Sequence, residues 1–165
     1  MSEMRDLKAT TMPLLDSVVE RLCHPSSLDA VWHRPAQGAA MPSLKDLTEI
    51  MERLRAAIFP GYFGSARVWR ESMRYHLSAN LDTIYRMLCE QIVRGFCFGC
   101  AGENNPCTSC ESDGEKAAGA FMDRLPEIRR LLASDAKAAY EGDPAATSPG
   151  ETIFCYPSMQ AMLHH

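Results

Sequence analysis

The sequence predicts an all-α protein in which five or six helices pack around a central antiparallel bundle. Three observations support this fold class. Apolar residues recur at steps of three and four along several long segments, which places them on one face of a helix. No alternating run rich in Val, Ile and Thr reaches the length of a strand. The segments between the predicted helices are short, which favours antiparallel packing of neighbouring helices.

The composition is that of an ordinary soluble domain, and it disfavours two classes of partner. Of the 165 residues, 46% are hydrophobic and 23% are charged, and the formal net charge is −4. Non-specific binding of nucleic acid needs a basic face, so we expect no nucleic-acid partner. No apolar run is long enough to span a bilayer and the first residues lack the pattern of a signal peptide, so we expect no membrane partner. Seven cysteines without an export signal indicate a reducing compartment, and we predict a cytoplasmic protein.

We divide the chain into an N-terminal helix and loop, residues 1–42, and a helical domain, residues 43–165. In the first part, the apolar spacing predicts a short amphipathic helix over residues 13–22, followed by a loop rich in Pro and Gly. The second part begins with a clear helix. Ser43 is a good N-cap, and Asp46 lies where the acid of a capping box would be.

A turn with the sequence FPGYFG, residues 59–64, ends that helix. We interpret it as a corner where aromatic side chains seal the junction between two helices, with a binding loop as the alternative. Ser65 then caps what we predict to be the longest helix, which runs to about Arg94 with an apolar stripe along one side.

The strongest local motif is a pair of Cys-x-x-Cys knuckles, Cys97 with Cys100 and Cys107 with Cys110. Two residues between cysteines let both sulfur atoms point at one ion, and the turn residues between the knuckles bring the second pair opposite the first. Four thiolates complete the tetrahedral set of a structural zinc site and leave no open position for catalysis. An iron–sulfur cluster takes the same ligands, and two disulfides or four reduced thiols are the alternatives without a metal. We predict a compact metal-binding loop over residues 97–110, with zinc as the expected ion.

Two further helices lead to the last part of the chain. Helical spacing resumes over residues 114–125, and Pro126 is well placed in the first turn of a new helix. We expect Gly142 to stop this helix in the left-handed conformation, and Asp143 to be held extended because it precedes Pro144. Asp143 is therefore predicted to be a carboxylate at a fixed corner, either a solvated turn residue or a group that a ligand reaches.

The segment that contains Asp143 carries a family resemblance. Residues 142–146 (GDPAA), a polar spacer, and residues 153–157 (IFCYP) opening a helix closely resemble the bacterial serine acetyltransferases, in the longer branch called the epsilon type. Three further stretches are similar to that branch, so that the resemblance covers most of the chain: residues 60–64, 94–97 and 125–129.

The resemblance implies an enzyme of which this chain is the N-terminal helical domain. In the family, acetyl is transferred from acetyl-CoA to the hydroxyl of L-serine, a step of cysteine biosynthesis. The aspartate of this Asp-Pro lies in the serine site, so Asp143 is expected to bind substrate. The catalytic histidine and the acetyl-CoA groove belong in the family to a left-handed β-helix of hexapeptide repeats, which this sequence does not contain. We therefore expect no catalytic residue and no acetyltransferase activity in this chain alone.

Partners follow from the same resemblance, which implies a homo-oligomer and a cysteine synthase as a partner of the full enzyme. Composition offers an independent reason for self-association, because ten methionines and several long apolar stripes exceed what one thin bundle covers. A second functional hypothesis is a non-catalytic, zinc-clipped helical module for interaction or oligomerisation. Hexapeptide repeats downstream would distinguish the enzyme from this module.

Overall fold

The computed structural model describes residues 3–32, 40–64, 67–99 and 108–163, and these residues form helices and no strand. The all-α fold class is therefore confirmed, although the helices outnumber the five or six that were predicted. In chain order they are α1 (Glu3–Cys23), α2 (Pro25–Leu28), α3 (Leu44–Ile58), α4 (Met73–Gly99), α5 (Thr108–Gly142), α6 (Pro149–Cys155) and α7 (Pro157–Met162).

The chain forms two compact units, Met1–Arg34 and Pro35–His165. The first contains α1 and α2, which contact one another. α1 begins ten residues before Pro13, so the prediction that this helix starts at Pro13 is wrong. Good helix formers precede Pro13, and a helix can continue past a proline when it gives up one backbone hydrogen bond.

Ser43 is confirmed as the N-cap of α3, but Asp46 does not complete a capping box, because Ser43 N donates to Gln91 instead. Ser43 Oγ accepts a hydrogen bond from Asp46 N at 3.2 Å. A side chain of α4 supports the cap, because Gln91 Oε1 accepts from Ser43 N at 2.7 Å and Gln91 Nε2 donates to Asp46 Oδ2 at 3.2 Å. Gln91 is only 4% exposed, and these bonds satisfy its amide. The start of α3 is thus joined to the C-terminal half of α4.

α4 starts and ends later than the sequence predicted, and it is not the longest helix. Ser65, the predicted cap, lies outside the described residues. The backbone N and the hydroxyl of Ser72 both donate to the carbonyl of Trp69 at 3.1 Å, which makes a turn where helix was predicted. A serine side chain that binds a nearby backbone carbonyl competes with helical hydrogen bonding. The first hydrogen bond of α4 therefore comes after this turn, from His76 N to Ser72 O at 3.0 Å.

The longest helix is α5, whose 35 residues include Pro126. The prediction that a new helix begins at Pro126 is wrong, because α5 continues through the proline. Tertiary contacts stabilise the helical segments before and after it. Before it, Phe121 and Leu125 pack against a cluster centred on α3 and α4 (Ile50, Leu54, Ala57, Ile84). After it, α5 contributes to a second cluster with the C-terminal helices (Ile58, Phe59, Leu132, Ala136, Ile153, Met159, Leu163). Burial on both sides offsets the backbone hydrogen bond that proline removes.

α4 and α5 form an antiparallel hairpin with a close backbone approach. Gly114 of α5 is buried, and a Cβ atom built there would lie 2.5 Å from Val93 Cγ2 of α4. A glycine is therefore required for this packing of the two helices. No described helix is long and apolar enough to cross a membrane.

Candidate functional site

Asp143 lies at the corner the sequence predicted, directly after the last residue of α5. The predicted mechanism for ending the helix is wrong in one respect. Among the described glycines only Gly61 and Gly64 have positive φ, so Gly142 does not take the left-handed conformation. Pro144 provides the stop instead, because its ring disfavours the helical conformation at Asp143.

Both oxygens of the Asp143 carboxylate accept hydrogen bonds. Oδ1 accepts from Ala145 N at 2.9 Å, and Oδ2 accepts from the hydroxyl of Tyr156 at 2.5 Å. The carbonyl of Asp143 accepts from Ala146 N at 3.0 Å and closes the turn. Chiefly through the hydroxyl of Tyr156, and then the amide of Ala145, these bonds hold the pKa of Asp143 below its ordinary value. The carboxylate is therefore ionised at neutral pH.

Tyr156 is the residue that sequence reasoning missed. It lies between α6 and α7 as the C-cap of one and the N-cap of the other, and its ring packs against the cluster formed by α5 and the C-terminal helices. The hydrogen bond to Asp143 raises the pKa of Tyr156 to about 12, so that it stays a donor at neutral pH. The only signal in the sequence was the Tyr156-Pro157 break in the last helix, which marks a fixed backbone but no partner.

α6 is fixed at its start by a cap and by the neighbouring turn. Ser148 Oγ accepts from Glu151 N at 3.2 Å, while Glu151 Oε2 accepts from Thr147 N at 2.7 Å and from Thr147 Oγ1 at 2.6 Å. The arrangement is close to a capping box. These bonds lower the pKa of Glu151, with the hydroxyl of Thr147 as the largest cause, although the negative charge of Asp143 opposes the shift.

A buried hydroxyl joins α6 to α5. Thr152 is fully buried, and its Oγ1 lies 3.1 Å from the carbonyl of Ala136 and 2.7 Å from that of Pro149. The turn that carries Asp143 is therefore held at both ends, by the body of α5 before it and by α6 after it.

The site is electronegative. Asp143 and Glu151 are near enough for each charge to influence the neighbouring groups, and within the described ranges neither forms an ion pair with a basic side chain. Two ionised carboxylates without a neutralising partner favour a cation at this corner.

The turn at residues 59–64 packs against the C-terminal helices, which confirms its interpretation as a sealing corner. Phe63 stacks on Phe154 of α6 with ring centroids 5.9 Å apart, and the guanidinium of Arg55 lies 4.4 Å from the Phe63 centroid. The ring of Tyr62 lies over the start of α6, where a Cβ on Gly150 would come within 3.1 Å of two of its atoms. The corner therefore supports the segment that follows Asp143.

Of the four predicted metal ligands, Cys97 and Cys110 are buried, whereas Cys100 and Cys107 lie outside the described residues. No group of three potential metal ligands occurs within the part of the chain that the structure describes.

The packing of α4 against α5 relates the positions of the two buried cysteines. Val93 lies against Gly114, and four residues further towards the connection are Cys97 on α4 and Cys110 on α5. Each cysteine is therefore about one helical turn from the contact between Val93 and Gly114. Cys97 and Cys110 lie at the same height along the antiparallel pair of helices.

Comparison with known proteins gives one informative match. No family model matches the sequence. A curated protein described as "Serine acetyltransferase, plasmid", from Synechococcus elongatus, is 36% identical to the chain over 156 residues. The match covers 92% of this chain and 49% of the relative, so the chain spans about half the length of the curated relative it matches. The resemblance read from the sequence is thereby confirmed: over most of its length, the chain is similar to a curated serine acetyltransferase.

Proposed function

We propose that the chain is the N-terminal helical domain of a serine O-acetyltransferase, and that it contributes Asp143 to the serine site of the whole enzyme. Similarity to a serine acetyltransferase over 92% of the chain supports the first part. The bond between Asp143 and Tyr156 carries the second part. An aspartate that only formed a turn would need the amide of Ala145, two residues away, and not a donor 13 residues away on another segment.

In the whole enzyme, the hydroxyl oxygen of L-serine attacks the thioester carbonyl of acetyl-CoA. A histidine of the β-helix takes the hydroxyl proton as a general base and delivers it to the thiolate that leaves. The carbon–sulfur bond breaks, a carbon–oxygen bond forms, and the products are O-acetyl-L-serine and CoA. Asp143 is not suited to move that proton, because its lowered pKa makes it a weak base. Its contribution is to hold the amino acid in position.

The ammonium group of serine is the part of the substrate that Asp143 fits. An ionised carboxylate offers about four acceptor positions, and Ala145 N and the Tyr156 hydroxyl occupy two of them. The remaining positions can accept charge-assisted hydrogen bonds from an ammonium group. Glu151 adds a second negative charge close to the same corner.

The loop at residues 97–110 is proposed to hold a structural metal ion, with zinc as the first candidate and an iron–sulfur cluster as the alternative. The ligands would be Cys97, Cys100, Cys107 and Cys110. Support comes from the donor set, which is typical of closed tetrahedral sites, and from the burial of Cys97 and Cys110 on facing helices. Such an ion would join α4 and α5 at the connected end of their hairpin and would take no part in acetyl transfer.

The domain is also proposed to form oligomer contacts, and the full enzyme to bind a cysteine synthase. A non-catalytic module clipped by zinc remains the alternative function. The burial of the two cysteines suits a structural metal in either case, so it does not distinguish the two hypotheses. Hexapeptide repeats downstream, or acetyltransferase activity of the full-length protein, would distinguish them.

An assay of CoA release with acetyl-CoA and L-serine tests the proposal. We expect the full-length protein to release CoA in a serine-dependent manner and the chain of residues 1–165 to release none. A full-length protein that folds but has no serine-dependent activity would support the non-catalytic module. Activity of the chain alone that survives repurification would contradict the division of labour proposed between this chain and the β-helix.

A further inference from the structure

We propose that Tyr156 is a positioning residue of the serine site, whose hydroxyl sets the orientation in which the Asp143 carboxylate meets the substrate ammonium group. The inference rests on the proposed function, since it names a second residue of the same site. Tyr156 would act through Asp143 without touching the substrate.

The hydroxyl of Tyr156 is a donor in a fixed position. Its ring packs against the buried cluster that contains Leu132 and Met159, and its backbone is held between α6 and Pro157, the first residue of α7. A side chain held at both its ring and its backbone has little freedom to follow a moving partner. The hydroxyl lies 2.5 Å from Asp143 Oδ2, so the carboxylate takes the orientation that the position of the hydroxyl sets.

Two donors are enough to fix the plane of the Asp143 carboxylate. The amide of Ala145 binds Oδ1 and the hydroxyl of Tyr156 binds Oδ2, so that a rotation about the last side-chain bond would break both bonds. The acceptor positions that remain keep one orientation before substrate arrives. A group that is already ordered does not lose that freedom when it binds, and this improves affinity.

A purely electrostatic role would have the opposite effect. By stabilising the carboxylate, the hydroxyl withdraws some negative charge from it, and this alone would weaken the attraction for an ammonium group. Removal of the hydroxyl would then tighten serine binding. If orientation dominates, its removal weakens binding, so the sign of the change separates the two roles.

The experiment compares steady-state kinetics of the full-length enzyme and its Tyr156→Phe variant with each substrate varied in turn. Phenylalanine keeps the ring in the cluster and removes only the donor. We expect kcat/KM for serine to fall about three- to thirtyfold, mainly through KM, while KM for acetyl-CoA stays unchanged. Tyr75→Phe is the matched control, because Tyr75 is 78% exposed on α4, and it should leave both constants unchanged.

A double-mutant cycle with Asp143→Asn tests whether Tyr156 acts through Asp143. We expect Tyr156→Phe to cause little further loss in the Asp143→Asn background, since the group that it positions has already lost its charge. Full additivity of the two losses would overturn the inference, and so would an unchanged or improved kcat/KM for serine in Tyr156→Phe.

The same cycle separates this inference from the proposed function. If Asp143→Asn alone leaves serine kinetics unchanged, the proposed serine site fails, and the role of Tyr156 fails with it. If Asp143→Asn impairs serine use and Tyr156→Phe does not, only the inference fails. A Tyr156→Phe enzyme with a lower melting temperature and equal losses for both substrates would mean that Tyr156 only stabilises the fold, which also overturns it.

Discussion

Gly114 of α5 and Val93 of α4 lie so close that a Cβ atom at position 114 would be 2.5 Å from Val93 Cγ2. Val93 is β-branched, and one side-chain rotamer is strongly preferred in a helix, so it cannot easily turn away. Gly114→Ala must therefore push the two helices apart or strain the valine. We expect the free energy of unfolding in urea to fall by about 1–3 kcal/mol.

Gly119 provides the matched control on the same helix, because a Cβ there would meet no atom within 4 Å. Gly119→Ala should raise the free energy of unfolding by about 0.5–1 kcal/mol, since alanine loses less backbone freedom in a helix than glycine. Equal effects of the two substitutions would contradict the close packing of α4 and α5.

Local chemistry made several features predictable from sequence. The cap of α3 depends on the hydroxyl of Ser43 and the backbone N of Asp46, which are three residues apart in the chain. The position of Asp143 depends on the proline that follows it. The turn at residues 59–64 was interpreted correctly because its closely spaced aromatics had to pack against some neighbouring element.

Features that depend on distant residues were not predictable in this way. Pro126 has a strong local preference to begin a helix, and contacts with two separate clusters override it. The start of α4 is set by a turn in which Ser72 donates to the Trp69 carbonyl. This turn competes with the helix, and the spacing of apolar residues does not reveal it. The partnership of Asp143 and Tyr156 joins residues on separate segments, and neither residue indicates the other.

The metal proposal predicts about one zinc ion, or one iron–sulfur centre, per chain in protein purified without chelators. Cys97→Ser should lower the metal content to near zero, because it removes one of four thiolate ligands. Cys23→Ser is the control, since Cys23 is an exposed cysteine at the end of α1, outside the proposed ligand set. Elemental analysis with a thiol titration provides the measurement. Metal-free wild-type protein with all seven thiols titratable would favour the reduced-thiol alternative.

Self-association is expected to involve the apolar stripe of α1. Leu15, Val18, Val19 and Leu22 follow helical spacing and are each at least 37% exposed. Val19→Asp should shift the protein towards monomer in light scattering at micromolar concentration, because it places a charge within that stripe. Val31→Asp, a matched change at a position 78% exposed outside α1, should not. Wild-type protein that is monomeric at every concentration would count against the idea.

The bond between Tyr156 and Asp143 predicts a pH dependence of stability. It needs a protonated tyrosine and an ionised aspartate, whose ordinary pKa values are 10.0 and 3.8. Folding raises the pKa of Tyr156 to about 12, so its contribution is complete below pH 10 and is lost as the pH rises through 12. Folding lowers the pKa of Asp143, so its contribution is lost as the pH falls below 3.8.

The difference in free energy of unfolding between wild type and Tyr156→Phe should therefore be constant from about pH 5 to 9 and shrink at pH 11. Urea unfolding at several pH values measures it, with Tyr75→Phe as the control for general effects of alkali. A difference that stayed the same at pH 11 would show that the tyrosine hydroxyl is not bound to a carboxylate.

The most direct test of the central claim is steady-state kinetics of Asp143→Asn in the full-length enzyme, with serine and acetyl-CoA varied separately. Asparagine suits the turn about as well as aspartate, so the substitution keeps the corner and removes the charge. We predict that kcat/KM for serine falls roughly ten- to a hundredfold, while KM for acetyl-CoA and the activity of the exposed control Asp135→Asn remain unchanged. Wild-type kinetics for serine in Asp143→Asn would contradict the claim and would leave Asp143 as a turn residue.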